Sequence, residues 1–340
     1  MEEKSRISSA TKNEIKLWLY EIRRFIYRIL IGWWYKPSNR LKQKTKQTIF
    51  VWTMLAIPLA HFLLFYVYVN INSILLAFKN IDFANGGKEY WTFDNFKEIF
   101  RMFKEGGKGV NMSLYAKNTL KFWSVNVFWT LPWSLVLTYV FHKKLRNYKF
   151  FRIMLFIPSL ICGAVGSVVF SSFVGPNGVF GEILRNVFNV SRVPSWFQEE
   201  ETAMAALLFH TWFFSFAGSY IIFSGAMARI PQEILEASLL DGAGMWREIW
   251  NIYIPLMWPT LSLSILGIFT GIFGASGAIL LFTPNMESTF TLGYWIYDQV
   301  RVYNSYYLPS ALGLSFTLIA FPIALLIRWL VTKIWYDVEM

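Results

Sequence analysis

Side chains able to do chemistry are few and scattered along this 340-residue chain. Its three histidines, His61, His142 and His210, fall in three different segments, and no H-E-x-x-H pair exists to hold a zinc ion. Gly106-Gly107-Lys108 lacks the upstream glycine of a G-x-x-x-x-G-K-[ST] phosphate cradle, so the chain carries no P-loop of its own. A lone Cys162 leaves neither a disulfide framework nor a cysteine-based metal site. His61 and His210 lie in apolar runs, either as functional groups or as neutral rings bonded to a backbone carbonyl. The most structured polar stretch is residues 229–257. There Pro231 suits the first turn of a helix, Gln232 to Leu240 are helix-compatible, and Gly242 stops or bends the chain. A second helical stretch runs from Met245 to Pro255, and Pro259 opens the next apolar run. Such a helix–turn–helix is suited to contact and to passing on motion, not to bond making.

The elements that position this stretch follow from the distribution of charge. The chain is 55% hydrophobic and only 16% charged, against roughly 25% in ordinary globular proteins. Residues 48–78, 122–141, 153–181, 202–228, 249–286 and 302–327 contain no Asp, Glu, Lys or Arg. About 20 apolar helical residues cross a bilayer core, and continuous apolar runs suit helices and not barrel strands. The composition therefore excludes a soluble protein and predicts an all-α membrane protein with six transmembrane helices. The spans are placed at about 48–78, 120–141, 153–174, 202–228, 258–283 and 306–331, within a membrane domain over 48–335.

Net charge is +11, and twelve of the 32 Lys and Arg lie in the first 47 residues. No RNA-recognition motif accompanies them, so the excess is read as an orientation signal, with lipid and not nucleic acid as the partner. Loop 142–152 holds five basic residues and no acid, whereas loops 79–119 and 174–201 are mixed. This places both termini and the 229–257 loop inside, the latter by alternation alone, since it holds two basic residues against four acids. Within the basic segment 1–47, residues 13–35 show apolar residues at three- and four-residue spacing, broken by Arg23, Arg24 and Arg28. That pattern predicts an amphipathic helix on the membrane surface, with a seventh span as the alternative.

Glu236-Ala237-Ser238, then Asp241-Gly242-Ala243, with Ile252 and Pro255, resembles the signature of binding-protein-dependent ABC importer permeases. The Asp-Gly-Ala form, with Ile230-Pro231 and Pro259, resembles the carbohydrate-uptake branch, the maltose-type permeases. Ser238 departs from the usual second alanine but is still small. Weaker matches run in order: Phe93-Asp94-Asn95-Phe96, Asn118-Thr119-Leu120, Phe150-Phe151-Arg152, Pro176-Asn177-Gly178 with Gly181, and Thr289-Phe290-Thr291-Leu292. Together they cover roughly residues 90–335.

The resemblance implies a transport subunit of a bacterial cell membrane, without a catalytic site or cofactor of its own. It would pair with a second homologous permease, two ATPase subunits that hold ATP and Mg, and an extracellular solute-binding lipoprotein. It places the ATPase contact on Glu236, Ala237, Ser238, Asp241, Gly242 and Ala243, the region of a cytoplasmic coupling helix. The solute path is less defined. Gly267, Gly271, Gly274 and Gly277, with Ser276, form either a helix-packing face or a wall with room for solute. Asn126, Trp212 and Tyr220 add hydrogen-bonding and stacking groups. Related permeases often carry an acid near Gly277, and its absence here leaves the sugar open. The alternatives are a permease for a non-sugar solute and a membrane-embedded glycosyl or lipid transferase. A secondary transporter would show inverted repeats and charged intramembrane groups, and neither is evident.

Overall fold

The computed structural model describes residues 43–82, 87–106, 110–144, 147–274 and 277–334, together with Glu21 and Arg23. The surface helix expected over 13–35 and the path residue Ser276 lie outside the described residues. Residues 1–70 and 71–340 form two units, each described by itself.

In the first unit the chain is helical from Gln43 and enters a long apolar helix, α1 (Thr45–Ala77), whose last residues belong to the second unit. Pro58 lies inside this helix, and a wide π-helical turn, Phe62–Tyr68, follows. A proline lacks the N–H of the regular ladder and crowds the preceding carbonyl, so irregular turns gather near it.

The second unit continues with a hairpin of β1 (Lys79–Asp82) and β2 (Lys88–Trp91), paired antiparallel with Lys79 opposite Trp91. Then follow α2 (Asp94–Glu105), α3 (Met112–His142), α4 (Tyr148–Leu160), α5 (Gly163–Val174), α6 (Val179–Asn186) and α7 (Glu200–Met227). The rest of the chain is α8 (Gln232–Leu240), α9 (Met245–Leu256), α10 (Trp258–Thr270), α11 (Gly277–Phe282), α12 (Leu292–Arg301) and α13 (Tyr307–Ile334). Among the described residues five helical stretches are long and apolar enough to cross a membrane, and the pair α9–α10, bent by 83°, makes a sixth. The protein is thus an all-α multi-pass membrane protein, with one short hairpin as its only described sheet.

Two of the apolar runs are not single helices. The third breaks after α4, where Ile161 and Cys162 turn extended before α5 begins. The fifth ends at Gly271, passes through a 3₁₀ turn, Ile272–Gly274, and resumes as α11. Glycine-rich stretches give up helical geometry easily because they lack the packing and stiffness of larger residues.

Buried side chains of the second unit form two clusters. One joins Met112, Tyr115 and Phe122 of α3 with Leu207 of α7, Ile279 of α11, Tyr294 of α12 and Leu312 of α13. The other joins Leu135 and Tyr139 of α3 with Phe223 of α7, Tyr253 of α9, Leu261 of α10 and Ile327 of α13. Polar ties fix the first cluster. Asn118 donates to the carbonyls of Ser288 (2.9 Å) and Phe290 (3.0 Å), and the Thr119 hydroxyl accepts from Leu292 N–H (3.0 Å). The short motifs at 118–120 and 289–292, more than 160 residues apart in sequence, therefore exist to bond each other. Asn95 similarly donates to the carbonyls of Ala77 and Lys79, at 3.0 and 2.8 Å.

Candidate functional site

Helix α8 and its exit are built from local rules. Gly242 takes φ +67°, the left-handed region that side chains avoid. Ala243 N–H then bonds Ser238 C=O (3.0 Å) and Gly242 N–H bonds Leu239 C=O (3.1 Å), the paired bonds of a glycine-terminated helix end. At the start, Pro231 occupies the capping position, and Gln232 donates to Glu236 at 2.7 Å along the exposed face. Glu236, Ala237, Asp241 and Gly242 are exposed, and Ala243 is half-buried. Leu239 beside them is exposed and Leu240 is 90% exposed, so the helix ends in an apolar tip.

Ser238 faces the other way. It is buried, and its one hydroxyl proton is shared between Leu235 C=O at 2.7 Å and Glu248 Oε1 at 3.2 Å. Glu248, on α9, is the group that the sequence motifs do not single out. Only 1% exposed, it accepts from Tyr139 Oη at 2.5 Å and pairs with Lys143 Nζ at 2.8 Å, both at the end of α3. Donors from Lys143, Tyr139 and Ser238 thus surround one buried carboxylate. A signal was available. The buried positions Glu248, Ile249, Tyr253, Ile254, Met257, Trp258 and Leu261 trace one stripe, and an acid on an apolar stripe needs a partner.

A cavity of about 350 Å³ lies against α3, α7 and α10. Phe122 of the first buried cluster and Phe223 of the second both reach its wall. Asn126, Thr130, Ser215, Ser219 and Ser264 give it polar groups, Phe122, Trp123 and Phe223 give it aromatic faces, and none of its lining residues is charged. The Trp123 Nε1 and Thr130 Oγ1 atoms are buried with no hydrogen-bond partner among the described residues. Its α3 wall is a π-helical turn, Asn126–Thr130, placed just before Pro132.

The path residues read from sequence divide accordingly. Asn126 and Gly271 line this cavity together. Tyr220 lines another, of about 490 Å³, with Phe141, His142, Arg152 and Gln232. Trp212 packs its ring against Trp133 (6.3 Å) and Phe209 (5.6 Å). Gly274 closes the 3₁₀ turn and Gly277 starts α11, neither on the cavity wall. His210 bonds the Ser167 hydroxyl at 3.2 Å, not a backbone carbonyl, among the rings of Phe170, Phe214 and Phe282. Among the described residues no group of three His, Cys, Asp or Glu is placed to hold a metal.

Fold and site together define a helical multi-pass membrane protein with an uncharged cavity against three helices and a short, partly exposed helix between α7 and α9. Residues 122–336, more than half of the chain, match the model of the family described as "Binding-protein-dependent transport system inner membrane component", and the chain belongs to that family. It is 26% identical over 215 residues to a protein of Bacillus subtilis (strain 168) named probable ABC transporter permease protein YesP, covering 62% of this chain and 64% of the relative. It is 29% identical over 203 residues to the maltose/maltodextrin transport system permease protein MalF of Vibrio vulnificus (strain YJ016), covering 58% of this chain and 38% of the relative. The matches thus span less than two thirds of each relative's length. A solved bacterial alginate ABC transporter, in complex with an alginate pentasaccharide-bound periplasmic protein, contains a chain of the same fold. That chain superimposes with a TM-score of 0.73 at 20% identity, covering 88% of this chain and all of that one.

Proposed function

We propose that this chain is a permease subunit of an ATP-driven importer and that it forms part of the path for a neutral sugar or oligosaccharide. A second permease completes the path, two ATPase subunits bind ATP with Mg on the cytoplasmic side, and an extracellular solute-binding protein delivers the solute. The termini and the 229–257 loop then face the cytoplasm, as the positive charge of loop 142–152 argues. The observation that carries the ATPase contact is the exposed apolar tip of α8. Leu239 and Leu240 stand in the open on a helix outside the membrane, beside the exposed Glu236, Ala237, Asp241 and Gly242. Exposed apolar residues on a short, firmly capped helix suit insertion into a groove of a partner. Buried Ser238 and half-buried Ala243 support that helix from behind.

The solute class follows from the cavity wall. Hydroxyl and amide groups beside aromatic faces suit sugar recognition, where rings stack on apolar faces and hydroxyls exchange hydrogen bonds. The MalF-named relative supports the sugar reading by its printed substrate. With no charged lining residue, this wall favours a neutral saccharide over an acidic one such as the alginate named for the structural neighbour.

The contact is tested by co-purification. The wild-type chain is expected to retain tagged ATPase subunits of its own transporter through detergent extraction. Leu240→Asp and Glu236→Lys are expected to lower the retained amount at least about tenfold, because a charge placed in an apolar docking groove is left unpaired. Equal retention by both variants would remove α8 from the contact.

A further inference from the structure

Ser238 is the position at which this chain departs from its family pattern, and its hydroxyl reaches Glu248 at 3.2 Å. Glu248 in turn holds Tyr139 Oη at 2.5 Å and Lys143 Nζ at 2.8 Å. One buried carboxylate therefore joins three elements: α8, α9 and the end of α3. Ion pairs of this kind are costly to bury, and apolar residues of similar volume often serve stability as well or better. A buried ion pair of this kind is better explained by what it positions.

The two helices beyond the joint share a feature. A π-helical turn, Ile249–Tyr253, begins directly after Glu248, and another, Asn126–Thr130, lies on α3. Wide turns of this kind are local weak points in the ladder and are frequent at functional sites. Tyr139 lies nine residues beyond Thr130, about 14 Å along a helix, so the joint and the cavity wall are two points on one rod. Close packing converts a push at one end into displacement at the other.

We propose that Glu248 is a positioning residue for coupling. With Ser238, Tyr139 and Lys143 it forms a polar joint that carries displacement of α8 into α3 and so to the Asn126–Thr130 wall of the cavity. This rests on the permease reading above. The Ser238 hydroxyl then supplies the bond that ties α8 to the joint.

The test uses the whole transporter in lipid nanodiscs, with Cys162→Ser and a reporter Ser264→Cys in the cavity. The reading is the factor by which ATP with vanadate changes labelling of Cys at 264 by a membrane-impermeant maleimide. ATP hydrolysis and subunit content are measured on the same samples. Glu248→Gln, the apolar pair Lys143→Met with Glu248→Leu, and Ser238→Ala are compared with the parent. The first two are expected to keep the ATPase subunits bound and hydrolysing within about twofold of the parent. Their labelling factor is expected to fall about fivefold to tenfold, the order by which members of a coupling network act. Ser238→Ala, which restores the family residue and cannot unfold the helix, is expected to lose about half of the response. An unchanged labelling factor in the apolar pair and in Ser238→Ala would overturn the joint. So would a loss that disappears once corrected for assembled complex. A parent complex without bound ATPase subunits would instead overturn the permease reading, and the joint with it.

Discussion

At the scale of single residues, Glu248 has the largest consequence. Lys143, Tyr139, Ser238 and the buried Tyr253 ring all face it, and His142 packs on Tyr253 at 5.7 Å. The Tyr253 hydroxyl, by contrast, has no partner among the described residues. Tyr253→Phe is thus expected to leave stability within about 0.5 kcal/mol of the parent, read as a melting shift. The sequence shows Glu248 as an acid on an apolar stripe. Its partner is hidden, because Lys143 reads equally well as one more basic residue of a cytoplasmic loop.

At the scale of elements, two glycines hold turns that no other residue can replace at no cost. Gly242 ends α8 at φ +67°, and alanine there costs about 1–2 kcal/mol of local backbone energy. Gly242→Ala is expected to fray the turn that presents Leu240 and to weaken ATPase retention severalfold, measured by the same co-purification, with little change in global melting. Gly178 lies after α5, where an added Cβ would collide with the carbonyls of Ser172 and Phe173. Gly178→Ala is expected to destabilise by about 1–3 kcal/mol in a detergent melt, the usual cost of overpacking. An unchanged melting point would mean that the turn adapts freely. The α8 turn was legible from Pro231 and Gly242, since backbone restrictions act locally. The breaks at Ile161–Cys162 and Gly271 were not. A run of apolar residues meets the bilayer equally well as one helix or two, and tertiary packing decides which.

At the scale of the whole molecule, charge-free runs set the number of spans because the bilayer penalises every charge within it. The cavity was only partly legible. Asn126 and Gly271 line it, but Tyr220 and Trp212 do not, since aromatic residues make up 19% of the chain and most serve packing. Which of them meet at one depth depends on helix rotation, which no spacing rule supplies. The arrangement that results has an uncharged cavity against α3, α7 and α10, at the middle of α3, with the Glu248 cluster at one end of that helix. The proposed transport of a neutral saccharide, driven through α8, is tested most directly by uptake into proteoliposomes holding the complete transporter and its binding protein, offered labelled maltotriose or a labelled uronate oligosaccharide at equal concentration. ATP-dependent uptake of the neutral sugar, abolished by Gly242→Pro together with retention of the ATPase subunits, is the expected result. Uptake of the uronate alone, or uptake of either sugar that Gly242→Pro leaves intact, would contradict it.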